Sequence, residues 1–269
     1  SRTVAIACIE DMLKDSTKAA NGSSVKSGDL FASIDEDFDP YEKYKNLPDL
    51  TMSELLSLEK KSLGYYLSGH PVDAIGGKIE KLRSRKIGDI TNDIKKASLV
   101  CLINSARQIK DRKGNPLTFI NFDDGSGVMD GVVASDTLET CHGILKEGSI
   151  LILKGTIELD EYKSKDLGDP MYRMRVREVH SLDTELERKV REIMINIEKS
   201  DVLSLDALSE KLGEIKDDFW VHGSCQLNIK VKTGKSEVII SAGEKFNFPP
   251  TLINLTYLEE IFGTNALEI

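Results

Sequence analysis

Apolar residues recur every three or four positions from Thr3 to Ala19. Val4, Ala5, Cys8, Ile9, Met12 and Leu13 share one face, which predicts a helix. Asn21-Gly22-Ser23-Ser24 ends it. A second helical period opens near Thr51, where Thr51 or Ser53 can cap, and runs to about Ser68. Gly69 is the expected C-cap and Pro71 bars continuation, so a third helix is expected from Val72 to Arg83. The period then shortens. Ala97–Ile109, Leu117–Phe122, Val128–Ala134, Ser149–Leu159 and Tyr172–His180 read as five strands rich in Val, Ile and Leu. Asp111–Pro116 and Asp123–Gly127 are the turns between the first three. Ser135–Leu145 is a helical piece, and Asp160–Pro170 a polar loop.

Five strands with a helix after the third is the order of an oligonucleotide/oligosaccharide-binding (OB) barrel. Beyond Leu182, Leu186–Ile197 leads into an apolar stretch, and Ser204–Ile215 reads as an amphipathic helix. Val221–Val231 and Ser236–Ser241 form a hairpin turning at Thr233-Gly234, and Pro249–Phe262 is a last helix. The expected class is an α+β multidomain protein. It comprises a helical segment (1–20), an acidic linker (21–50), a helical segment (51–83), a five-stranded OB β-barrel (84–182) and a small C-terminal α+β domain (183–269).

Charge changes this picture in one respect. The 269 residues carry a net charge of −9, which argues against a nonspecific nucleic-acid coat, because such binding rests on neutralising phosphates. The balance is uneven, however. Residues 1–83 hold 11 basic and 14 acidic side chains, 84–182 hold 15 of each, and 183–269 hold 10 and 16. The middle third is the only candidate nucleic-acid surface, and the acidic flanks suit protein partners or solvent. No apolar run reaches the roughly 20 residues that cross a bilayer, and Ser1 opens no signal peptide, so no membrane role and a cytoplasmic location are expected. Cys8, Cys101, Cys141 and Cys225 lack C-x-x-C spacing and read as reduced thiols in or near cores.

The loops joining strands one to two and four to five bound the binding face of an OB barrel. Both are basic here. Arg107, Lys110, Arg112 and Lys113 stand in the first, and Tyr162, Lys163 and Lys165 in the second. Lys and Arg there would meet phosphates, and Phe119 or Tyr162 could stack on a base. The plainer reading makes them solvated turn charges, with Phe119 and Phe122 partly core. Asp111, Asp160, Glu161, Asp166 and Asp169 weaken the local potential. Asp123-Asp124 could pair on magnesium, but opens a turn. His70 has no second ligand at metal spacing and stands at a helix end, where the dipole favours it. No phosphate-cradling glycine loop, nucleophile elbow or zinc-helix motif is present.

Leu58 to Val72, LEKKSLGYYLSGHPV, resembles the E-K-E-x-L-G-x-Y-L-S-G-H-P segment of the α subunit of bacterial DNA polymerase III, where it precedes a C-terminal OB domain. Lys113-Gly114-Asn115 is similar to that family's basic-Gly-Asn turn, and Phe122–Gly127 to its hydrophobic-E-D-x-S-G run. Glu147–Leu151 resembles its lead-in to strand four, and Arg175–Val179 its closing strand. The resemblance implies a non-catalytic region of a DNA-directed DNA polymerase, with single-stranded DNA as one partner and no cofactor in this region. The catalytic carboxylates of the polymerase are not recognisable in the chain.

The same resemblance implies two protein partners. Asp29, Leu30 and Phe31 match the family's sliding-clamp peptide, Gln-x-Asp-(Leu or Met)-Phe, with Ser27 in the glutamine position, which removes an amide and lowers the expected affinity. The tail, 183–269, would bind the τ subunit of the clamp-loader assembly, with Trp220 and Phe262 as exposed or core aromatics. Two other readings stay open: an RNA-binding OB module, such as the anticodon-binding part of an aminoacyl-tRNA synthetase, and a protein-interaction scaffold whose barrel binds no nucleic acid.

Overall fold

Strand β1, Lys96–Lys110, is 15 residues long and serves two neighbours. Its first half, to Leu102, pairs antiparallel with β4 (Ile150–Leu159), and its second half with β2 (Pro116–Asp123). β2 pairs with β3 (Val128–Ala134), β3 runs parallel to β5 (Tyr172–Ser181), and β5 pairs with β4, closing a barrel in the order β1-β2-β3-β5-β4. In this computed structural model the described residues are 2–21, 44, 47, 49–111, 114–141, 143–167, 169–198, 212–213, 215, 219–220, 223–233, 236–263 and 266–269. They divide into two compact units, 1–69 and 70–269.

Alternation fills the barrel. Leu99, Cys101 and Ile103 of β1 point inward with Ile120 and Phe122 of β2, Leu153 of β4 and Met174 of β5. Two glycines are set by close approach. A Cβ on Gly131 would come within 2.9 Å of Phe122 Cε1, and one on Gly155 within 2.2 Å of the Arg175 carbonyl oxygen, where a β-bulge brings β4 and β5 together. Val100 and Ile152, on the opposite face of their strands, are also fully buried. Helix α3 (Pro71–Ala74) packs on β1, α6 (Leu182–Lys189) on β4 and β5, and the helix after β3 on β2, β3 and β5, while the outward face of β2 around Phe119 stays exposed.

The helical expectations need several corrections. The helix expected over Val72–Arg83 is only α3 followed by a 3-10 turn, Gly76–Ile79, because Gly76 takes a φ of 72° and breaks the run. The piece expected over Ser135–Leu145 stops at Thr140 as α4 (Ser135–Thr140). The loop Asp160–Pro170 contains a helix, α5 (Glu161–Leu167). Between β5 and the tail stands α6, capped by Ser181, then β6 (Glu192–Glu198).

In the tail, β7 (Gln226–Thr233) lies parallel to β6 and antiparallel to β8 (Ser236–Ser241), and β9 (Leu267–Glu268) completes the order β8-β7-β6-β9. The two-residue strand β9 is too short to announce itself by periodicity. Helix α7 (Leu252–Phe262) is capped by Thr251 and starts three residues after Pro249. Trp220 packs edge-on to Phe219 and Phe246, and Phe219 stacks on the fully buried Phe248. Phe262 is half-buried. Most of the helix expected over Ser204–Ile215 lies outside the described residues.

In the first unit, α1 (Arg2–Asn21) and α2 (Met52–Leu63) are the two expected helices. Thr51 and Glu54 form a reciprocal capping box on α2, and Gly64, not Gly69, is its C-cap, with a φ of 82°. The buried Glu59 carboxylate then accepts from the backbone N–H groups of Leu67 and Ser68 at 2.7 and 2.9 Å, and from the Ser68 hydroxyl. A helix carboxylate thus holds the Leu-Ser-Gly turn, which accounts for Glu59 and Ser68 within the LEKKSLGYYLSG segment.

Candidate nucleic-acid interface

Register decides what the outward face of the barrel presents. Residues opposite one another on neighbouring strands put their side chains on the same face. Arg107 lies opposite Phe119, Phe119 opposite Val132, and Val132 opposite Arg175, so one row crosses β1, β2, β3 and β5. Phe119 is 44% exposed, whereas Phe122, three residues on and so on the opposite face, is fully buried and belongs to the core. Arg107 and Arg175 are exposed and form no hydrogen bond or ion pair with the described residues. An exposed ring between two uncommitted guanidinium groups is the arrangement that stacks a base and meets its flanking phosphates.

The next row is polar and internally paired. Asn121 faces Asp130, and Asp130 faces Arg173. Asn121 donates to Asp130 at 2.7 Å, Lys163 of α5 makes an ion pair with the same carboxylate, and Arg173 reaches Glu158 at 3.5 Å. Burial works to raise the Asp130 value, but the Lys163 and Asn121 hydrogen bonds and the Lys163 charge outweigh it and hold the carboxyl below its usual range. The hydrogen bond to Asp130 in turn raises the Lys163 ammonium. Lys163 therefore fastens α5 to β3 before it can serve a phosphate.

Four more acidic groups of the barrel accept hydrogen bonds close by. Asp123 accepts from Asn104 at 2.6 Å and from the Gly125 N–H at 3.3 Å. Asp124, only 2% exposed, accepts from the Ile87 N–H at 2.8 Å and from the Ser126 N–H and hydroxyl. Both carboxylates are thus occupied in shaping the β2–β3 turn. Asp111 accepts from the Asn115 N–H at 2.8 Å, and Asp160 from the Lys163 N–H at 3.1 Å, each within its own turn. Asp111, Asp123, Asp124 and Asp160 are thus held by their own turns, while the Arg107 and Arg175 side chains stand without a partner among the described residues.

Of the residues expected to bind DNA, Arg107, Lys110 and Phe119 lie on β1 and β2, and Tyr162, Lys163 and Lys165 on α5. Tyr162 is 82% exposed. Arg112 and Lys113 lie outside the described residues, as do Asp29, Leu30 and Phe31 of the expected clamp peptide. Arg175 was not anticipated as a site residue. Its signal was the alternation Arg173-Met174-Arg175-Val176, which marks an outward-facing arginine, but only the parallel β3–β5 pairing sets it beside Val132 and Phe119.

Residues 99–182 match the family described as OB-fold nucleic acid binding domain. Over 98% of its length the chain is 24% identical to DNA polymerase III subunit alpha of Pseudomonas fluorescens, covering 22% of that protein. With the subunit alpha of Haemophilus influenzae it shares 24% identity over 97% of its length, again covering 22%. With that of Neisseria meningitidis it shares 28% over 66%, covering 15%. The chain thus spans about a fifth of the length of the first two relatives, 22% in each case. The SSB domain of a Synechococcus protein aligns with 34% of this chain at 9% identity and a TM-score of 0.27, a value too low to support an argument. The barrel is an OB fold, and the chain resembles, nearly end to end, one part of a polymerase III α subunit.

Proposed function

We propose that this chain is a non-catalytic region of a replicative DNA polymerase α subunit that holds single-stranded DNA on its OB barrel. The observation that supports the reading most directly is the row Arg107–Phe119–Val132–Arg175, an exposed ring between two arginine side chains unpaired among the described residues. Stacking on Phe119 is indifferent to sequence, as template handling requires, because every base has a π-face. The polymerase activity of the larger relatives would reside elsewhere in such a protein.

The test is titration of a labelled single-stranded oligonucleotide against the whole chain at several salt concentrations. Affinity that falls as salt rises, and that is lost in the R107A/R175A double variant, supports the reading. A wild-type chain that leaves the oligonucleotide free at low salt sinks it and makes the barrel a scaffold.

Two protein contacts belong to the same proposal. The sliding clamp would take Asp29, Leu30 and Phe31, and a τ-like partner would take the tail. An open apolar groove of about 550 Å³ beside α7, lined by Phe219, Leu252, Ile253 and Tyr257, supports the second assignment, since Ile253 stands 78% exposed.

A further inference from the structure

The row of cross-strand neighbours does not stop at Arg175. Arg175 lies opposite Thr156 of β4, and Thr156 opposite Lys96 of β1. From Phe119 to Lys96 the surface path crosses four strand spacings, about 19 Å at roughly 4.8 Å each. It ends at a groove of about 410 Å³ on the far side of the barrel, lined by Ser84, Lys96, Ser98, Lys154, Thr156 and Arg177 among others.

A β-bulge builds this groove. The β4–β5 register slips between Lys154 and Gly155, so that Gly155 faces Val176 and Lys154 faces Glu178, leaving Arg177 without a cross-strand partner. Arg177 and Glu178 are consecutive and both exposed, which strict alternation would forbid. One carboxylate, Glu178, also lines the groove. Glu178 contacts His180 at 2.9 Å and Lys154 at 3.6 Å, and Lys154 itself reaches the buried Glu185 at 2.9 Å. The Lys96 and Arg177 side chains make no hydrogen bond or ion pair with the described residues. Two uncommitted cations therefore share a concave surface with small hydroxyl-bearing residues, an arrangement suited to a phosphodiester.

We propose that this groove is a second anchor for the backbone of a bound single strand, seating the phosphates of nucleotides that have crossed from Phe119 over Arg175. The inference rests on the single-strand reading of the barrel and adds a site to it. A short strand would occupy the Phe119 face alone. A longer one would wrap toward the groove and gain contacts with Lys96 and Arg177.

The experiment compares oligonucleotides of about 3 nucleotides, too short to span about 19 Å at roughly 3.4 Å per stacked nucleotide, and of about 20, longer than the roughly 4–16 that one OB barrel takes. Each is titrated against the wild-type chain, a K96A/R177A variant and an F119A variant over a salt series. The inference expects K96A/R177A to weaken the longer strand alone, with a salt slope shallower by about 1.4, two contacts at roughly 0.7 each for a single strand. F119A should weaken both lengths. If wild type binds both strands and K96A/R177A binds the longer one with unchanged affinity and slope, the groove is no anchor while the Phe119 face survives. If wild type binds neither strand, the single-strand reading falls and the groove with it.

Discussion

The Nε2 of His70 lies against Oδ1 of Asp123, tying the start of α3 to the turn between β2 and β3. The other ring nitrogen, Nδ1, accepts from the Val72 N–H at 3.2 Å and caps α3. An accepting Nδ1 leaves the proton of a neutral ring on Nε2, the nitrogen that faces the carboxylate. The contact with Asp123 is electrostatic, since it lacks the alignment of a good hydrogen bond.

Two separable contributions follow from that geometry. H70A should lower unfolding free energy by about 1–2 kcal/mol, combining a cap worth about 1 with a weaker polar contact. H70N, whose side chain caps well but is too short for Asp123, should recover the cap portion. Urea denaturation measures both, and equal losses in the two variants would assign the whole effect to Asp123.

Glu185 is fully buried and meets Lys154 and Arg188, each at 2.9 Å. Burial alone would raise its value, but the hydrogen bonds and charges of Lys154 and Arg188 prevail and the carboxyl sits below its ordinary 4.5. A depressed folded-state value gives stabilisation that is complete above 4.5 and is lost as pH falls through the lower value. E185Q should therefore cost about 1.5–3 kcal/mol at neutral pH and show a shallower loss of Tm in acid than wild type. Parallel acid limbs in the two proteins would overturn the assignment.

Phe119 and Phe122 should separate binding from folding. F119A removes an exposed ring and should change stability by less than about 0.5 kcal/mol, while costing about 1–3 kcal/mol of oligonucleotide affinity. F122A empties the space that Gly131 leaves beside β2 and should cost about 3–5 kcal/mol of stability. Thermal melts beside fluorescence titrations distinguish the pair, and a stability loss in F119A as large as in F122A would return Phe119 to the core.

Burial pushes the thiols of Cys101, Cys141 and Cys225 up, the last to about 12. All three should stay silent toward Ellman's reagent at pH 8 in the folded chain and react once urea unfolds it. Prompt reaction of a native C8S variant would show that the barrel or tail opens locally.

The strands of the barrel were legible because alternation and turn residues agree. Phe119 out and Phe122 in follows from the register that buries Ile120, and Asp123–Gly127 does turn β2 into β3. The helical parts were less legible. In 72–83 the apolar spacing suggested a helix, yet Gly76 broke it, a local preference overriding the period. As site residues, Arg175 and Arg177 are not legible in the sequence, for different reasons. A parallel pairing between β3 and β5 leaves no local trace, and a bulge violates the alternation on which strand reading depends.

The two-sided pairing of β1 also bears on the order of folding. Its second half can join β2 through a short turn, but its first half must wait for β4, which lies about fifty residues further along the chain. Closure of the loop that brings them together carries the larger entropic cost. The β1–β2–β3 meander should therefore assemble early, and barrel closure late. Amides of Leu99 to Leu102 would then gain protection in pulse-labelled refolding after those of Phe119 to Phe122, although in the native protein both sets exchange only when the whole barrel opens.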